Sequence, residues 1–251
     1  MTTTSLLRPR SVTTSPPDVV SLVLLGTGAA LVLAGQSVWA VVPAGGVLLW
    51  GIREAGNRSA ARQVRGHATT LVAVVLVLAV SMPAFLPPAV DQLMLAVLVA
   101  GALVALIIAS PAVRAAVRPR RLALGDLGWW AVALFAALAV SMSVGPVAVP
   151  GSGLERAAIA DLVLLVPLVS EVLFRGLLMH GRATLLRGVA PAALAQASVC
   201  AALFGWNGLV VGGLLGVVLG VIRLRGGWQA SLYAHWGLAL GLAVPVLTGV
   251  G

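Results

Sequence analysis

Residues 68–87 read ATTLVAVVLVLAVSMPAFLP and contain no charged side chain. A helix needs about 20 mainly apolar residues to cross the hydrocarbon core of a bilayer, so this stretch has the length and composition of one crossing. The whole chain has a similar composition, because 60% of its 251 residues are hydrophobic and only 9% are charged. A soluble domain carries about a quarter of its residues as charged side chains. We therefore predict an all-α fold, a polytopic transmembrane helix bundle.

Further apolar runs along the chain give about eight to nine predicted helices. The candidate runs are residues 18–35, 37–52, 68–87, 92–113, 127–149, 158–179, 191–207, 208–222 and 228–249. The pairs 18–52 and 191–222 contain the shortest runs. Each of these pairs could also be a hairpin that does not fully span the bilayer.

The chain divides into three predicted regions. Residues 1–17 are rich in Thr, Ser and Pro, a composition that does not pack, so we expect a disordered cytoplasmic tail. Residues 18–125 are predicted to be N-terminal transmembrane helices, and residues 126–251 a second set that carries polar groups at membrane depth. The first apolar run could alternatively be a signal peptide, but a long polar leader and the continuing apolar pattern favour a membrane anchor.

The arginines indicate how the helices are oriented. All 16 basic residues are Arg, and 14 of them precede the first run or lie in every second connection. Cytoplasmic connections carry the excess of basic residues, so we expect the N-terminus in the cytoplasm and the C-terminus outside. Arg without Lys, with abundant Ala, Val, Leu and Gly, is typical of a GC-rich bacterial genome and favours the bacterial plasma (inner) membrane. The 14 residues are Arg8, Arg10, Arg53, Arg58, Arg62, Arg65, Arg114, Arg118, Arg120, Arg121, Arg182, Arg187, Arg223 and Arg225.

The charge and the cysteine content exclude several function classes. A formal charge of +9 does not indicate a nucleic-acid partner here, because the arginines form short clusters between apolar runs. The lipid bilayer is the partner that the composition predicts. A single cysteine, Cys200, excludes a disulfide within the chain, and we expect it to be a small buried residue. No cofactor or metal site is predicted.

Glu171 and Arg175 lie inside an apolar run, where a charged side chain costs at least ~2.5 kcal/mol. They are four residues apart, so they share one helix face and can neutralise each other. Two interpretations remain open for this pair. It can be a structural ion pair that locks its helix, or it can belong to a functional site.

His235 is predicted to lie at the same depth as Glu171. Glu171 is 11 residues from Arg182 and His235 is ten residues from Arg225, which corresponds to about 15 to 17 Å along a helix in each case. An acid and an imidazole at one level can activate a water between them. The structural alternative is an imidazole bonded to a nearby hydroxyl, for which Ser231 is available.

Glycine recurs every four residues at Gly212, Gly216 and Gly220. A stripe of this kind lets another helix backbone approach closely. We expect the stripe to hold the helices bearing Glu171 and His235 near each other.

The order of four short motifs resembles the CPBP family, intramembrane proteases of the CAAX-processing and bacteriocin-processing type. The motifs are Ser170-Glu171-Val172-Leu173-Phe174-Arg175-Gly176, Leu203-Phe204-Gly205-Trp206-Asn207-Gly208, Gly216-Val217-Val218-Leu219-Gly220 and Ser231-Leu232-Tyr233-Ala234-His235-Trp236. The resemblance covers about residues 155 to 245. It implies a CPBP-like helical core with its catalytic groups inside the membrane.

The resemblance assigns Glu171, Arg175 and His235 to family site positions. In that family a Glu-Glu-x-x-x-Arg motif supplies the general base, a Phe-x-x-x-His motif supplies a second polar group, and a later His with an Asn one turn on completes the site. This chain departs from the pattern at three positions, where it has Ser170, Gly208 and Ala239 in place of Glu, His and Asn. Asn207, beside Gly208, is the remaining candidate for an oxyanion donor.

Two functions from different classes follow from this pattern. The first is a non-catalytic pseudoprotease that binds a membrane protein, a lipid or a peptide in the cavity where substrates would sit. The second is an active intramembrane endopeptidase with Glu171 as base, His235 as its partner and Asn207 as oxyanion donor. We favour the first, because hydrolysis needs both a base and polarised donors. A small transporter is a remote third possibility, since the paired broken helices of that class are missing from the pattern.

Overall fold

The computed structural model describes residues 16–81, 88–119, 124–144 and 153–248. Within these residues the protein is all-α, as predicted. The α-helices are α1 (Pro16–Leu33), α2 (Ser37–Ala55), α3 (Ala60–Ser81), α4 (Pro88–Ala109), α5 (Pro111–Ala116), α6 (Leu124–Val144), α7 (Gly153–Ser170) and α8 (Ala190–Thr248). Two π-helical segments, Glu171–Leu178 and Leu185–Val189, lie between α7 and α8. The predicted N-terminal tail falls almost entirely outside the described residues.

Helix α8 is three helical segments joined at two glycines. Gly205 has φ 62° and ψ −141°, and Gly227 has φ 82° and ψ 174°, so both lie in a region that side chains with a Cβ avoid. The segments are α8a (190–204), α8b (206–226) and α8c (228–248). These match the predicted runs 191–207, 208–222 and 228–249 closely.

Segment α8b folds back against α8a, and its glycines form the contact. A Cβ on Gly216 would lie 2.7 Å from the Cα of Ala193, and a Cβ on Gly212 would lie 2.7 Å from the Cβ of Cys200. The predicted close packing is present, but its partner differs from the expectation. The stripe packs against α8a, which bears neither Glu171 nor His235, because the turn at Gly205 makes α8a the nearest neighbour of α8b.

Two predicted boundaries differ from the structure. Helix α3 begins at Ala60, well before the predicted run at 68, so Arg62 and Arg65 lie in helix rather than in a connection. The close approach of α2 and α3 explains this extension, since Gly66 packs directly on the backbone of Ala55. The predicted run 92–113 is divided at Ser110, whose hydroxyl caps α5 by accepting from the backbone N–H of Val113.

Two described stretches are long and apolar enough to cross a membrane, namely Ala60–Ser81 and Leu185–Val244. The second contains the glycine turns of α8. Shorter apolar helical stretches are Val23–Leu33, Met94–Ala109 and Leu124–Val140. Large apolar side chains such as Leu49, Ile108 and Phe135 are about 70% exposed, which suits a protein whose surface faces lipid.

One hydrophobic core joins the N-terminal helices to the C-terminal ones. It contains Leu25 of α1, Val72 of α3, Leu177 of the first π-helical segment and Ala195 of α8a. The hydroxyl of Ser198 on α8a also donates to the carbonyl of Leu25, at 3.3 Å. The core therefore crosses the predicted regional boundary near residue 125, and this packing fixes the position of the helices around α7.

Gly216→Ala is expected to destabilise the protein by about 1 to 3 kcal/mol, because the added methyl group overpacks the contact with α8a. Gly213→Ala is the matched control. A Cβ at Gly213 would lie 3.7 Å from the Cβ of Ala197, which is an ordinary van der Waals distance. This control should be neutral or stabilising, because Ala has the higher helix propensity. Unfolding of both variants in mixed micelles measures the difference, and equal stabilities would contradict the packing.

Candidate functional site

The site begins where α7 changes from α-helix to π-helix. Pro167 lies inside α7 and supplies no backbone N–H, so the regular ladder is interrupted one turn before Glu171. The π-helical segment Glu171–Leu178 follows, and all eight of its residues are buried. Its end is marked by a bond from the Met179 N–H to the Phe174 carbonyl at 3.3 Å. π-Helical turns are rare and are frequent at functional sites, so this segment is the first structural indication of a site here.

The Glu171 carboxylate is the centre of a buried polar cluster. The hydroxyl of Ser231 donates to Oε2 at 2.6 Å, and Nδ1 of His235 lies 3.0 Å from Oε1. Nη1 of Arg175 lies 3.3 Å from the same Oε1, and the side chains of Glu171 and Arg175 are both 0% exposed. Three neighbours therefore offset the charge of one carboxylate that has no contact with solvent.

Ser231 and His235 reach Glu171 from one face of α8c. They are four residues apart, and Trp236 anchors the same segment by donating from Nε1 to the Leu164 carbonyl of α7 at 3.2 Å. The expectation that His235 lies level with Glu171 agrees with their 3.0 Å contact. Ser231, the partner that the structural alternative offered to His235, donates its hydroxyl to the Glu171 carboxylate, which is the stronger acceptor.

Arg175 connects the π-helical segment to α8b as well as to Glu171. Its Nη2 donates to the Gly216 carbonyl at 3.2 Å and to the Leu215 carbonyl at 3.4 Å. Arg223 of α8b adds a second connection, because its Nε donates to the backbone carbonyl of Arg175 at 3.1 Å. The buried guanidinium therefore has a structural role, because it holds the π-helical segment against α8b.

Ser170 and Asn207 take different positions from Glu171. The Ser170 hydroxyl donates to the Pro167 carbonyl at 3.1 Å and lies 3.4 Å from Nδ1 of His235. Because a carboxylate only accepts, the Nδ1 proton is directed to Glu171, and Nδ1 is then no base for Ser170. Asn207 is an exposed residue of α8b and makes no hydrogen bond with the described residues.

Gly208 occupies the position of the second-motif His, and the packing explains why a glycine is there. It is buried against the backbone of Cys200 in α8a, and any Cβ at 208 would overlap the Cys200 carbonyl. An imidazole cannot be accommodated at this distance between the two backbones. The departure from the family motif is therefore part of the α8a–α8b hairpin.

A cavity of about 680 Å³ lies beside the cluster, between α3, α4, α7, α8a and α8b. Its walls are mainly apolar. The polar side chains that line it are Ser170, Gln196, Asn207 and His235. His235 is 8% exposed, so the imidazole connects the buried cluster to the cavity, whereas Glu171 and Arg175 do not reach the wall.

The described residues contain no group of three or more His, Cys, Asp or Glu side chains placed to hold a metal ion. The cluster offers one carboxylate and one imidazole, and the carboxylate is occupied by an arginine and a serine. A protein-bound zinc takes three or four protein ligands.

The fold and the cluster define a class of protein, a helical and apolar protein with a buried Glu–Arg–His group beside an apolar cavity. The family comparison is more specific. Residues 152–241 match the family model described as Type II CAAX prenyl endopeptidase Rce1-like. This match covers the part of the chain in which the four motifs lie, and it agrees with the resemblance that they predicted. Comparison with curated proteins and with solved structures gives no match.

The sequence did not predict the roles of two residues of the site, the bond of Ser231 to Glu171 and the place of Gln196 on the cavity wall. Ser231 is the closest partner of Glu171, and its position one turn before His235 was the available signal. Gln196 is a buried amide on the cavity wall, and the signal was a carboxamide side chain in the middle of the run 191–207. His180 lies in the turn that follows the π-helical segment Glu171–Leu178.

Glu171→Gln is expected to destabilise the protein by about 3 to 5 kcal/mol, because it leaves the buried Arg175 guanidinium without its counter-charge. Arg175→Gln should cost a similar amount for the same reason. The double variant should lose less than the sum, by about 0.5 to 3 kcal/mol, because neither charge is then left alone. Unfolding free energies in mixed micelles measure the cycle. Strict additivity would mean that the pair is not coupled.

The stability of the protein should fall as the pH drops below 6.5, in part through His180. Burial, with smaller contributions from Arg223 and Arg65, lowers the pKa of His180 from its ordinary 6.5. The unfolded chain then binds more protons than the folded protein just below pH 6.5, so folding loses stability there and is unaffected above. His180→Gln should reduce this loss between pH 8 and pH 5. An unchanged pH profile in the variant would contradict the assignment.

Proposed function

We propose that the chain is a multi-pass protein of the bacterial plasma membrane, with its N-terminus in the cytoplasm, and that it binds a membrane-embedded partner without cleaving it. The family match at 152–241 supports the intramembrane protease fold. The alternating arginines support the orientation. The long apolar stretches of α3 and α8 support the location.

The main observation behind this proposal is that the Glu171 carboxylate already contacts three polar side chains. A general base must stand within hydrogen-bond reach of the water that it deprotonates. Glu171 is instead surrounded by Ser231, His235 and Arg175, is fully buried and does not line the cavity. A water in the cavity therefore meets the imidazole and not the carboxylate. This arrangement stabilises the bundle and leaves the cavity as a binding space.

The missing family groups support the same proposal. The cavity wall has Ser170 where the motif has its first Glu, and Gly208 is closed against α8a. Stabilisation of a developing oxyanion needs donors that are already in place. The exposed Asn207 has no hydrogen-bond partner among the described residues that would orient it.

The size and lining of the cavity indicate what it binds. About 680 Å³ lies within the range of small-molecule and cofactor sites, and the walls are largely Val and Leu side chains. Part of the lining is exposed at the protein surface, including Val211 at 62%. A lipid chain or a membrane-inserted peptide can therefore enter from the bilayer side.

An active endopeptidase is the second candidate, and one observation favours it. Nδ1 of His235 is held by a carboxylate while the same imidazole lines the cavity. A carboxylate that orients a histidine in this way can prepare the other ring nitrogen to act as a base. In this alternative His235 deprotonates the water, Glu171 orients it and Asn207 holds the oxyanion.

Binding can be tested by photo-crosslinking in native membranes. A benzophenone amino acid at Val211, on the cavity rim, should capture a lipid or a peptide. The same probe at Val132 of α6 is the matched control, because Val132 is 64% exposed and does not line the cavity. Equal products at both positions would contradict a cavity-specific partner.

Catalysis is tested separately with purified protein in lipid bilayers. We expect no cleavage of a prenylated or a transmembrane peptide above background, and no change of that background in His235→Ala. Cleavage by the wild type that is lost in both His235→Ala and Glu171→Gln would establish the endopeptidase instead. Circular dichroism of each variant checks that the helices remain folded.

A further inference from the structure

Gln196 is a buried amide on the cavity wall, and its carbonyl oxygen has no hydrogen-bond partner among the described residues. It lies on α8a, is 4% exposed and belongs to the cavity wall. Its Oε1 is buried and accepts no hydrogen bond from the described residues. The buried hydroxyl nearest to it in sequence does have a partner. Ser198, two residues on, donates to the Leu194 carbonyl at 2.8 Å.

An unpaired buried amide is costly, and more so where no water surrounds the protein. Several buried side-chain atoms lack a hydrogen-bond partner in the described residues. Among them, only Oε1 of Gln196 belongs to a residue of the cavity wall. A carboxamide offers one acceptor and two donor hydrogens. A peptide group offers the complementary pair, an N–H and a carbonyl.

We propose that Gln196 is the polar recognition point of a peptide-binding site in this cavity, where it bonds the backbone amide of a locally unwound, membrane-inserted segment. The inference rests on the proposed binding function and names the class of partner. Leu173, Val199 and Leu203 supply apolar contacts for the side chains of that segment.

The depth of Gln196 favours a peptide over a lipid. It is nine residues beyond Arg187, which corresponds to roughly 13 Å along a helix at 1.5 Å per residue. The hydrocarbon core is about 30 Å thick, so the amide lies well inside it. Acyl chains carry no hydrogen-bond donor, and the donors of lipids are in the headgroups. A peptide brings an N–H to this level.

The local state of the peptide follows from the same chemistry. A continuous helix uses its backbone N–H groups internally, except in its first turn. The bound segment must therefore be extended, or broken by residues such as Pro and Gly. An unbroken helix would leave Gln196 unsatisfied and should bind without its help.

Three synthetic peptides separate these cases, each a 20-residue Leu/Ala sequence in phosphatidylcholine vesicles. One is unbroken, one has a central Gly-Pro, and one has the same break with N-methylated flanking amides. Binding is measured as the peptide concentration that half-saturates crosslinking to a benzophenone at Val211. We expect the broken peptide to bind about tenfold more tightly than its N-methylated form, because the latter has lost its donors.

Gln196→Leu should remove this tenfold preference and leave the unbroken peptide unchanged. Val199→Ala is the matched control on the same helix and wall, and it should weaken all three peptides alike. The free energy of unfolding should not fall in Gln196→Leu, because the variant removes an unsatisfied buried amide. A fall in this free energy would identify a misfolded variant. Gln196→Glu provides a second, polar substitution that retains an acceptor.

The failures of the two proposals are distinguishable. If a photoactivatable lipid crosslinks at Val211 and the peptides do not, the binding function stands and the peptide site is wrong. If all three peptides bind alike to the wild type, Gln196 does not recognise a backbone amide. If no probe crosslinks more at Val211 than at Val132, the cavity is not a binding site and both proposals fail.

Discussion

The ion pair between Glu171 and Arg175 is the interaction on which the rest of the structure depends. Two opposite charges with no solvent exposure are stable only while they neutralise each other, and hydrogen bonds to their remaining groups add to this. Ser231 and His235 supply such bonds to Glu171 from α8c, and carbonyls of α8b accept from Nη2 of Arg175. The need to satisfy one carboxylate and one guanidinium thus brings α7, α8b and α8c together and places the cavity beside them.

The architecture could be predicted to a large extent because membrane helices have simple requirements. Apolar length predicted the helices, and the separation of the last three runs anticipated the turns at Gly205 and Gly227. The positions of Glu171, Arg175 and His235 followed from spacing and depth. Boundaries were less predictable, because α3 continues to Ala60 through residues that are polar in composition. There, tertiary contact with α2 outweighed the local pattern.

The contacts within the site could not be predicted, because each group had several possible partners and the packing of the helices determines which one it contacts. Ser231 had two acceptors within reach, and only the structure shows that the carboxylate receives its proton. The glycine stripe had several possible neighbours, and the turn at Gly205 places it against α8a. The isolated amide of Gln196 was visible in the sequence. Its lack of a partner is a property of the packed helices.

The contact between Gly208 and the Cys200 backbone has a consequence for the evolution of this protein. A mutation to histidine at 208 would have to move a main-chain carbonyl, and no replacement of the Cys200 side chain can make that room. The spacing of α8a and α8b is set along its whole length by Gly212 and Gly216 as well. A histidine at 208 would therefore require several simultaneous substitutions, so this position is difficult to change by single steps.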